Sequence, residues 1–215
     1  PASVLSLTQG TECGTQYSVD ELKSLTGVAH DAGLLVHMDG ARFSNAVAAS
    51  GESPAALSWQ SGVDVLCFGG TKNGCIVADA VIFFDKDQAR DFEMRRKRAG
   101  HLWSKMRFIA AQFDAYFRDG LWLALASHAN KMASKLSTGL AAIDGVEISY
   151  ATEINEVFVC FPDGVADRLR AEGYWFYPWI TPGDPVNGRM SRLITSFRTT
   201  DAEVDAFLAC VRKFA

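Results

Sequence analysis

The chain has 215 residues, of which 48% are hydrophobic and 21% are charged, and its formal net charge is −4 at pH 7. This composition is typical of a packed globular protein, and the negative net charge excludes an electrostatic case for nucleic-acid binding. No apolar run approaches the ~20 residues of a membrane span, and no signal-peptide pattern is present. We therefore expect a cytoplasmic protein with no membrane partner.

The cysteines and histidines give no indication of a metal site. The five cysteines are odd in number and lack a C-x-x-C spacing, which predicts neither a disulfide framework nor a zinc site. The four histidines show no spacing typical of metal ligands. Cys67 and Cys75 lie in apolar runs and are interpreted as small core residues.

Strands and helices are predicted to alternate along the first part of the chain. Residues 4–8 form a predicted strand, and Ser18 with Glu21 forms a capping box at the start of a helix that ends at Gly33. The further predicted elements are a strand at 34–37, a helix at 42–50, a short helix at 54–60, strands at 63–68 and 75–84, and a helical stretch at 87–142 interrupted near Gly100 and Gly120.

The pattern changes after residue 143. Strands are predicted at 146–150, 156–161, 174–179 and 192–197, and helices at 165–172 and 201–214. These elements would form a compact α+β unit. We therefore predict two domains, residues 1–143 and residues 144–215.

Lys72 lies in the glycine-rich turn Phe68-Gly-Gly-Thr-Lys-Asn-Gly74, between two apolar runs. Lysine is seldom buried without a partner. A lysine that forms a Schiff base avoids the cost of burying an ammonium group, because desolvation lowers its pKa. The alternative interpretation is an ordinary lysine on an exposed turn.

Asp39 and Arg42 follow the apolar run Leu34-Leu-Val36, so we expect them just past the carboxyl end of a strand. Chemistry in open α/β sheets gathers at this edge, and Lys72 follows about one strand–helix–strand unit later. A carboxylate and an amine that face one crevice meet the needs of pyridoxal phosphate. Taken alone, Asp39 could instead be a helix N-cap.

Two motifs carry a resemblance to a known family. The runs His37-Met-Asp-Gly-Ala-Arg-Phe-Ser-Asn45 and Phe68-Gly-Gly-Thr-Lys-Asn-Gly74 resemble the low-specificity L-threonine aldolases. Residues 5–15, and the basic run 95–101 leading into 105–107, are also similar to that family, and the resemblance covers essentially the whole chain. It implies an α/β fold of the PLP-dependent transferase type (aspartate aminotransferase fold type I). Residues 1–143 would be part of the large mixed α/β domain, and residues 144–215 the small α+β domain.

The resemblance also implies a cofactor, a reaction and site residues. The cofactor would be pyridoxal 5'-phosphate, and the reaction aldol cleavage of L-threonine, L-allo-threonine or another β-hydroxy-α-amino acid to glycine and an aldehyde. Lys72 would hold the cofactor as a Schiff base, while Asp39 would keep its pyridine nitrogen protonated. Arg42 would contact the phenolic oxygen of the cofactor or the substrate carboxylate, and Thr71 would hydrogen-bond the phosphate.

Arg192 is the predicted ligand of the substrate α-carboxylate, because the resembled family uses the arginine of a similar Arg-Leu-Val-Thr run and guanidinium offers a bidentate fork. The alternative is an ordinary residue at a strand edge. Arg189 and Arg198 are weaker candidates for the same role. Asn155 and Glu156, just before an apolar strand, receive no role.

Lys97 and Arg107 are candidates for contacts across a subunit interface, since the family expectation is a homotetramer, a dimer of dimers with sites at dimer interfaces. The basic cluster at residues 95–98 is either a solvated helix face or an anion contact. The resemblance also implies a longer enzyme, whose N-terminal portion supplies a phosphate-binding turn and a residue that stacks on the cofactor. We therefore expect this chain to be the C-terminal part of such an enzyme.

Two other functions remain open. Another pyridoxal-phosphate reaction, transamination or β-elimination, uses the same aspartate and lysine on the same scaffold. The second alternative is a non-catalytic fragment or pseudoenzyme subunit that packs against a partner. The finer match around Asp39 and Lys72 favours the aldolase.

Overall fold

The computed structural model describes residues 2–180 and 190–215. The chain divides into two compact units, residues 1–11 with 17–125 and residues 12–16 with 126–215. This division falls earlier than the boundary that we predicted near residue 143. The reason is the long helix at 121–141, whose buried Met132, Leu136 and Leu140 belong to the core of the second unit.

The first unit contains a four-stranded sheet in the order β1-β2-β3-β4, in which β1, β2 and β3 are parallel and β4 is antiparallel to β3. Its strands are β1 (Val4–Thr8), β2 (Leu35–Gly40), β3 (Val65–Gly69) and β4 (Asp79–Phe83). Its helices are α1 (Val19–Asp31), α2 (Phe43–Ser50), α3 (Phe92–Arg98) and α4 (Arg107–Phe117). The predicted alternation of strands and helices is confirmed.

The start of α1 has the predicted capping box. The Ser18 hydroxyl accepts from the Glu21 N–H at 3.3 Å, and Glu21 Oε2 accepts from the Ser18 N–H at 2.8 Å. These bonds satisfy two backbone donors that a helix N-terminus would otherwise leave unpaired. The helix buries Leu22, Thr26 and Ala29, which recur at helical spacing on one face.

Side chains of β2 and β3 alternate between the two faces of the sheet. Val36 and Met38 of β2 and Leu66 and Phe68 of β3 are buried in the core of the first unit, together with residues of α1 and α2. The odd-numbered residues of both strands point to the opposite face, because successive side chains of a strand alternate. That face carries the polar side chains that the site uses.

The second unit contains an antiparallel sheet in the order β5-β6-β8-β7. Its strands are β5 (Glu147–Ile148), β6 (Glu156–Cys160), β7 (Tyr177–Pro178) and β8 (Met190–Ile194). Its helices are α5 (Leu121–Ala141, of which residues 126–141 belong to this unit), α6 (Val165–Ala171) and α7 (Asp201–Phe214). The α+β pattern and the bounds of the last helix are as predicted.

Several predicted elements are shorter or different. Residues 54–60 are not a helix but a series of turns that leads into a single 3-10 turn, Trp59–Ser61. The Ser58 hydroxyl donates to the Pro54 carbonyl at 2.6 Å there, and serine bonds of this kind compete with regular helix geometry. The predicted strand at 75–84 is limited to β4, because the Gly70 N–H donates to the Ala78 carbonyl and closes residues 70–78 into a loop.

The strands of the second unit differ from prediction at their ends. The strand predicted at 174–179 contributes only Tyr177–Pro178, and proline cannot donate to a strand ladder. The strand predicted at 192–197 is β8, which ends at Ile194. It ends there because the Ser196 N–H donates to the Thr199 hydroxyl at 2.9 Å and turns the chain. The strand predicted at 146–150 is the two-residue β5.

Within residues 2–180 and 190–215, no helix has the length and apolar character that a membrane crossing needs. In the same residues, no three side chains of His, Cys, Asp or Glu come together as a set of metal ligands.

Candidate active site

The Asp39 and Lys72 motifs follow neighbouring parallel strands and meet at one edge of the first unit's sheet. Asp39 pairs with Cys67 in the register of β2 and β3. Gly69 allows the two strand ends to approach, because a Cβ at this position would lie 2.9 Å from the Ala41 Cα. The expectation that both motifs lie at the carboxyl edge of the sheet is confirmed.

Asp39 itself lies inside β2, which extends to Gly40, and not just past the strand end as predicted. The strand is longer because Met38 and Gly40 pair with Leu66 and Phe68 of β3. The carboxylate of Asp39 is held by the Ala41 N–H, which donates to Oδ1 at 2.9 Å. It does not cap α2, whose N-cap residue is Arg42. Asp39 Oδ2 makes no hydrogen bond with any residue that the structure describes.

Lys72 lies in the middle of a 3-10 turn, Thr71–Asn73, that follows β3 directly. Its side chain is exposed, so the desolvation expected from the sequence is not found in this chain. Among the described residues, the amine takes part in no hydrogen bond or ion pair. Lys72 therefore offers an amine without a bonding partner among the described residues at the edge of the sheet. An ordinary lysine on an exposed turn would look the same, so this alternative stays open.

The residue after Lys72 anchors the turn. Asn73 is 3% exposed, and its side-chain amide donates to the Tyr116 hydroxyl at 2.5 Å and to the Trp122 carbonyl at 2.9 Å. Burial raises the pKa of Tyr116, whose hydroxyl also bonds the Ser44 hydroxyl at 2.9 Å. The exposed lysine is thus followed by a buried asparagine whose side-chain amide donates two hydrogen bonds. Asn73 received no role from the sequence, although it stands directly after Lys72 in the glycine-rich turn.

Thr71 precedes the lysine and closes the other side of the turn. Its hydroxyl accepts from the Ala78 N–H at 3.1 Å and contacts Asp79 Oδ1 at 3.5 Å. The threonine hydroxyl thus stabilises the loop at residues 70–78 from within. The predicted bond to a phosphate remains a prediction.

Arg42 is 7% exposed and begins α2 directly after the Asp39 motif. The structure places its backbone at the same sheet edge as Asp39, as predicted. Its guanidinium lies in the protein interior, where arginine requires polar partners. Its predicted contact with the cofactor or the substrate remains a prediction.

A chain of three polar side chains crosses β1, β2 and β3 beside Asp39. The Ser6 hydroxyl lies 2.8 Å from His37 Nδ1, and His37 Nε2 lies 3.2 Å from Cys67 Sγ. Burial raises the pKa of the Cys67 thiol, and the negative charges of Asp39 and Asp79 raise it further. The prediction that Cys67 is a simple core residue is therefore incomplete, because the thiol is half-buried and bonded. The alternation of β2, which puts His37 and Asp39 on one face, could have revealed this chain.

Arg192 lies on β8 in the second unit. Its Nη1 is 3.6 Å from Glu156 Oε1, and its Cζ lies 4.4 Å from the centroid of the Trp179 ring. It is therefore an anchored residue and not an ordinary strand-edge arginine, although its predicted contact with a substrate carboxylate remains a prediction. Of the two competing arginines, Arg198 is exposed, and Arg189 lies outside the described residues.

The two residues predicted at a subunit interface are exposed. Lys97 lies on α3, none of whose residues is buried, and the Arg107 guanidinium at the start of α4 covers the Phe108 ring at 4.8 Å. Exposure is compatible both with an interface and with the solvated helix face that the sequence left open.

Comparison with known proteins gives a consistent result. The model of the beta-eliminating lyase family matches residues 1–162. A low specificity L-threonine aldolase from Pseudomonas aeruginosa is 50% identical over 180 residues, which are 84% of this chain and 52% of that protein. A low specificity L-threonine aldolase from a Pseudomonas species is 44% identical over 209 residues, 97% of this chain and 59% of that protein. The chain thus spans slightly more than half the length of these relatives.

A solved structure has the same fold. The threonine aldolase from Leishmania major superposes with a TM-score of 0.88 at 26% identity, and the match covers 98% of this chain and 60% of that chain. The predicted α/β fold class, that of fold type I pyridoxal-phosphate enzymes, is confirmed.

Proposed function

Because the chain belongs to the beta-eliminating lyase family, we propose that it carries part of the active site of a lyase that cleaves L-threonine or L-allo-threonine. The products would be glycine and an aldehyde, and the cofactor would be pyridoxal 5'-phosphate. The observation that carries the proposal is that Asp39 lies near the carboxyl end of β2 and Lys72 lies in the turn directly after the neighbouring parallel strand β3. The names of the relatives support the choice of reaction.

The residues at this edge fit the cofactor. Lys72 presents an amine that no described residue engages, and this is the group that bonds a pyridoxal carbonyl carbon. Asp39 is held by one oxygen through the Ala41 N–H, so its second oxygen can accept from a protonated pyridine nitrogen. When bound, pyridoxal phosphate supplies an electron sink for the negative charge left on Cα after bond cleavage.

The protein's own groups would orient the substrate and hold the necessary protons. A carboxylate at Asp39 would keep the pyridine nitrogen positively charged, because a negative charge favours the protonated form of a neighbouring base. Arg42 would contact the phenolic oxygen of the cofactor or the substrate carboxylate, and Thr71 would donate to the phosphate. Arg192 would bind the α-carboxylate of the amino acid in a bidentate manner.

The assembly and location are also proposals. Lys97 and Arg107 would lie at contacts between subunits of a homotetramer, and their exposure on the first unit is compatible with this proposal. The enzyme would work in the cytoplasm on a small amino-acid substrate. The charge of −4 supports a role that does not involve nucleic acid.

The test is incubation of the intact protein with L-threonine and pyridoxal phosphate. We expect glycine and acetaldehyde in equal amounts, and no activity in Lys72→Ala. Lys86→Ala is the matched control, because Lys86 is another exposed lysine of the first unit in a 3-10 turn, and it should retain activity. A keto acid or ammonia as product would indicate an aminotransferase or a β-eliminating reaction, and full activity in Lys72→Ala would refute the assignment of the lysine.

A further inference from the structure

Glu156 is a fully buried carboxylate in an otherwise apolar strand. It is the first residue of β6, whose other four residues are apolar and buried, and its own exposed fraction is 0%. Glutamate is almost never fully buried unless it is paired, because an isolated ionised carboxylate is costly in an apolar environment. A glutamate at this position therefore needs a cationic partner.

The structure supplies Arg192 as that partner. Arg192 of β8 pairs with Phe158 in the antiparallel register and lies diagonal to Glu156 on the same face of the sheet. The distance from Arg192 Nη1 to Glu156 Oε1 is 3.6 Å, which is an ion pair longer than a hydrogen bond. The charges face each other within the second unit, and the arginine side chain is only 19% exposed.

Trp179 fixes the guanidinium from another side. The Arg192 Cζ lies 4.4 Å from the Trp179 ring centroid, a distance typical of a cation–π contact. Trp179 is itself held edge-to-face on Phe158 at 5.6 Å, and its backbone N–H donates to the Met190 carbonyl at 2.7 Å. The guanidinium is thus restrained at one edge by a carboxylate and on one face by a fixed ring.

The loop at residues 12–16 packs closely against the backbone and the Cβ of Glu156. Gly14 has a φ of +75°, and a Cβ at this position would lie 2.9 Å from the Glu156 carbonyl oxygen and 3.3 Å from the Glu156 Cβ. The loop is tied down because the Glu153 N–H donates to the Gly14 carbonyl at 3.1 Å and the Gln16 N–H donates to Glu153 Oε2 at 2.7 Å. This close cover contributes to the complete burial of Glu156, and burial strengthens its attraction to Arg192.

We propose that Glu156 is a positioning residue, which fixes the Arg192 guanidinium for binding the α-carboxylate of the amino-acid substrate. This inference rests on the substrate role proposed above for Arg192. Arginine offers five donors in a rigid fork, and Arg192 Nε makes no hydrogen bond with any described residue. A guanidinium oriented before the substrate arrives loses less rotamer freedom on binding, which increases affinity.

A purely structural ion pair would have a different effect. It would stabilise the second unit, and its loss would not change how a correctly folded protein binds a carboxylate. The positioning role instead predicts weaker substrate binding with little change in the chemical step, because Glu156 acts through Arg192. The Michaelis constant and kcat therefore distinguish the two roles.

The experiment compares Glu156→Gln and Glu156→Asp in the intact protein with pyridoxal phosphate and L-threonine. Glu156→Gln keeps the shape and removes the charge, and we expect the KM to rise about tenfold with kcat within about twofold of the wild type. Glu156→Asp keeps the charge and should restore part of the affinity. Glu172→Gln is the matched control, because it removes the charge of an exposed pair with Lys213 at 3.0 Å in the same unit, and its KM should not change.

A second measurement does not depend on turnover. The probe is the Arg192 Nε–H signal in 15N NMR spectra, which is identified by its loss in Arg192→Lys. This signal should shift on titration with glycine. In Glu156→Gln, the glycine concentration at half of the full shift should be about tenfold higher than in the wild type. Wild-type and Glu156→Gln proteins with equal KM and equal glycine affinity would overturn the inference, while threonine cleavage by both would leave the proposed function intact. Absence of cleavage by the wild type, with the glycine effect present, would reject the proposed reaction and support the positioning role.

Discussion

The Lys72 turn and the Arg192 strand hold their cationic side chains in opposite ways. Lys72 is exposed and engages no described residue, although its neighbours Thr71 and Asn73 are bonded into the first unit. Arg192 in the second unit is itself held, by Glu156 at 3.6 Å and by the Trp179 ring. At Lys72 the backbone of the turn is held and the side chain is not, whereas at Arg192 the side chain itself is held.

This difference follows from what each group has to do under the proposed function. An amine that forms and releases a covalent bond must exchange partners, so a strong ion pair to it would oppose the reaction. An arginine that only binds a carboxylate keeps its charge throughout, and a fixed orientation improves binding. The two kinds of support also predict different responses to mutation.

The largest expected effect is the loss of stability in Arg192→Met. This change removes one member of the ion pair between Arg192 and the buried Glu156 carboxylate, and breaking a buried ion pair by removing one member costs about 3–5 kcal/mol. Lys72→Met should change the free energy of unfolding by no more than about 0.5 kcal/mol, because the lysine is exposed. Urea unfolding followed by circular dichroism measures both values.

The double variant Arg192→Met with Glu156→Leu provides the control for this prediction. Replacing both members of a buried pair by apolar residues is often neutral, so most of the lost stability should return. If Lys72→Met were as destabilising as Arg192→Met, the contrast between the two regions would be wrong.

Asn73→Ala should have the next largest effect. It removes the donor to the Tyr116 hydroxyl and the Trp122 carbonyl, and leaving buried polar groups unbonded costs about 1–3 kcal/mol. Because Asn73 fixes the turn, this variant should also bind pyridoxal phosphate more weakly than the wild type. Equal cofactor affinity, measured by absorbance titration, would show that the turn does not depend on Asn73.

Gly69→Ala should disturb the junction between the two motifs. The added Cβ would lie 2.9 Å from the Ala41 Cα and 3.2 Å from its carbonyl oxygen, and overpacking of this kind costs about 1–3 kcal/mol. Gly27→Ala is the matched control in α1, where a Cβ meets nothing within 4 Å. In a helix interior, alanine is more favourable than glycine by about 0.5–1 kcal/mol. Thermal unfolding of the two variants should therefore show Gly69→Ala destabilised and Gly27→Ala stabilised relative to the wild type.

The smallest expected effect concerns the Cys67 thiol. Burial raises its pKa, and the charges of Asp39 and Asp79 raise it further. Asp39→Asn should therefore move the pH midpoint of Cys67 alkylation by iodoacetamide to lower pH. Cys75 is the internal control, because burial and Asp79 raise its pKa, so Asp39→Asn should leave its midpoint unchanged in the same mass-spectrometric experiment.

Local signals in the sequence predicted much of the fold. The capping boxes at Ser18 and Thr200 and the glycine breaks near residues 100 and 120 fix helix ends through neighbouring residues, so α1 and α7 were predictable. The prediction of a helix at 54–60 was wrong because serine side chains form hydrogen bonds with the local backbone there. The start of β4 depends on the bond between the Gly70 N–H and the Ala78 carbonyl, and the end of β8 depends on the bond between the Ser196 N–H and the Thr199 hydroxyl. Hydrophobic periodicity contains neither bond.

Candidate site residues within a sequence motif could be predicted, whereas contacts between side chains of different strands could not. Asp39 and Lys72 were predicted at one sheet edge because each motif adjoins an apolar strand, although Asp39 lies inside β2 and Lys72 in the turn after β3. Glu156 received no role, although a glutamate that begins a fully apolar strand is a sign of a buried charge. The Ser6–His37–Cys67 chain depends on the register of three strands, which the sequence alone does not determine.

The most direct test of the account is reductive trapping of the cofactor on the intact protein. The protein is treated with sodium borohydride after purification without added pyridoxal phosphate, digested, and analysed by mass spectrometry. The account predicts one pyridoxyl adduct, on the peptide that contains Lys72, and its absence in Lys72→Arg. An adduct confined to a different lysine, or one that persists in Lys72→Arg, would contradict it.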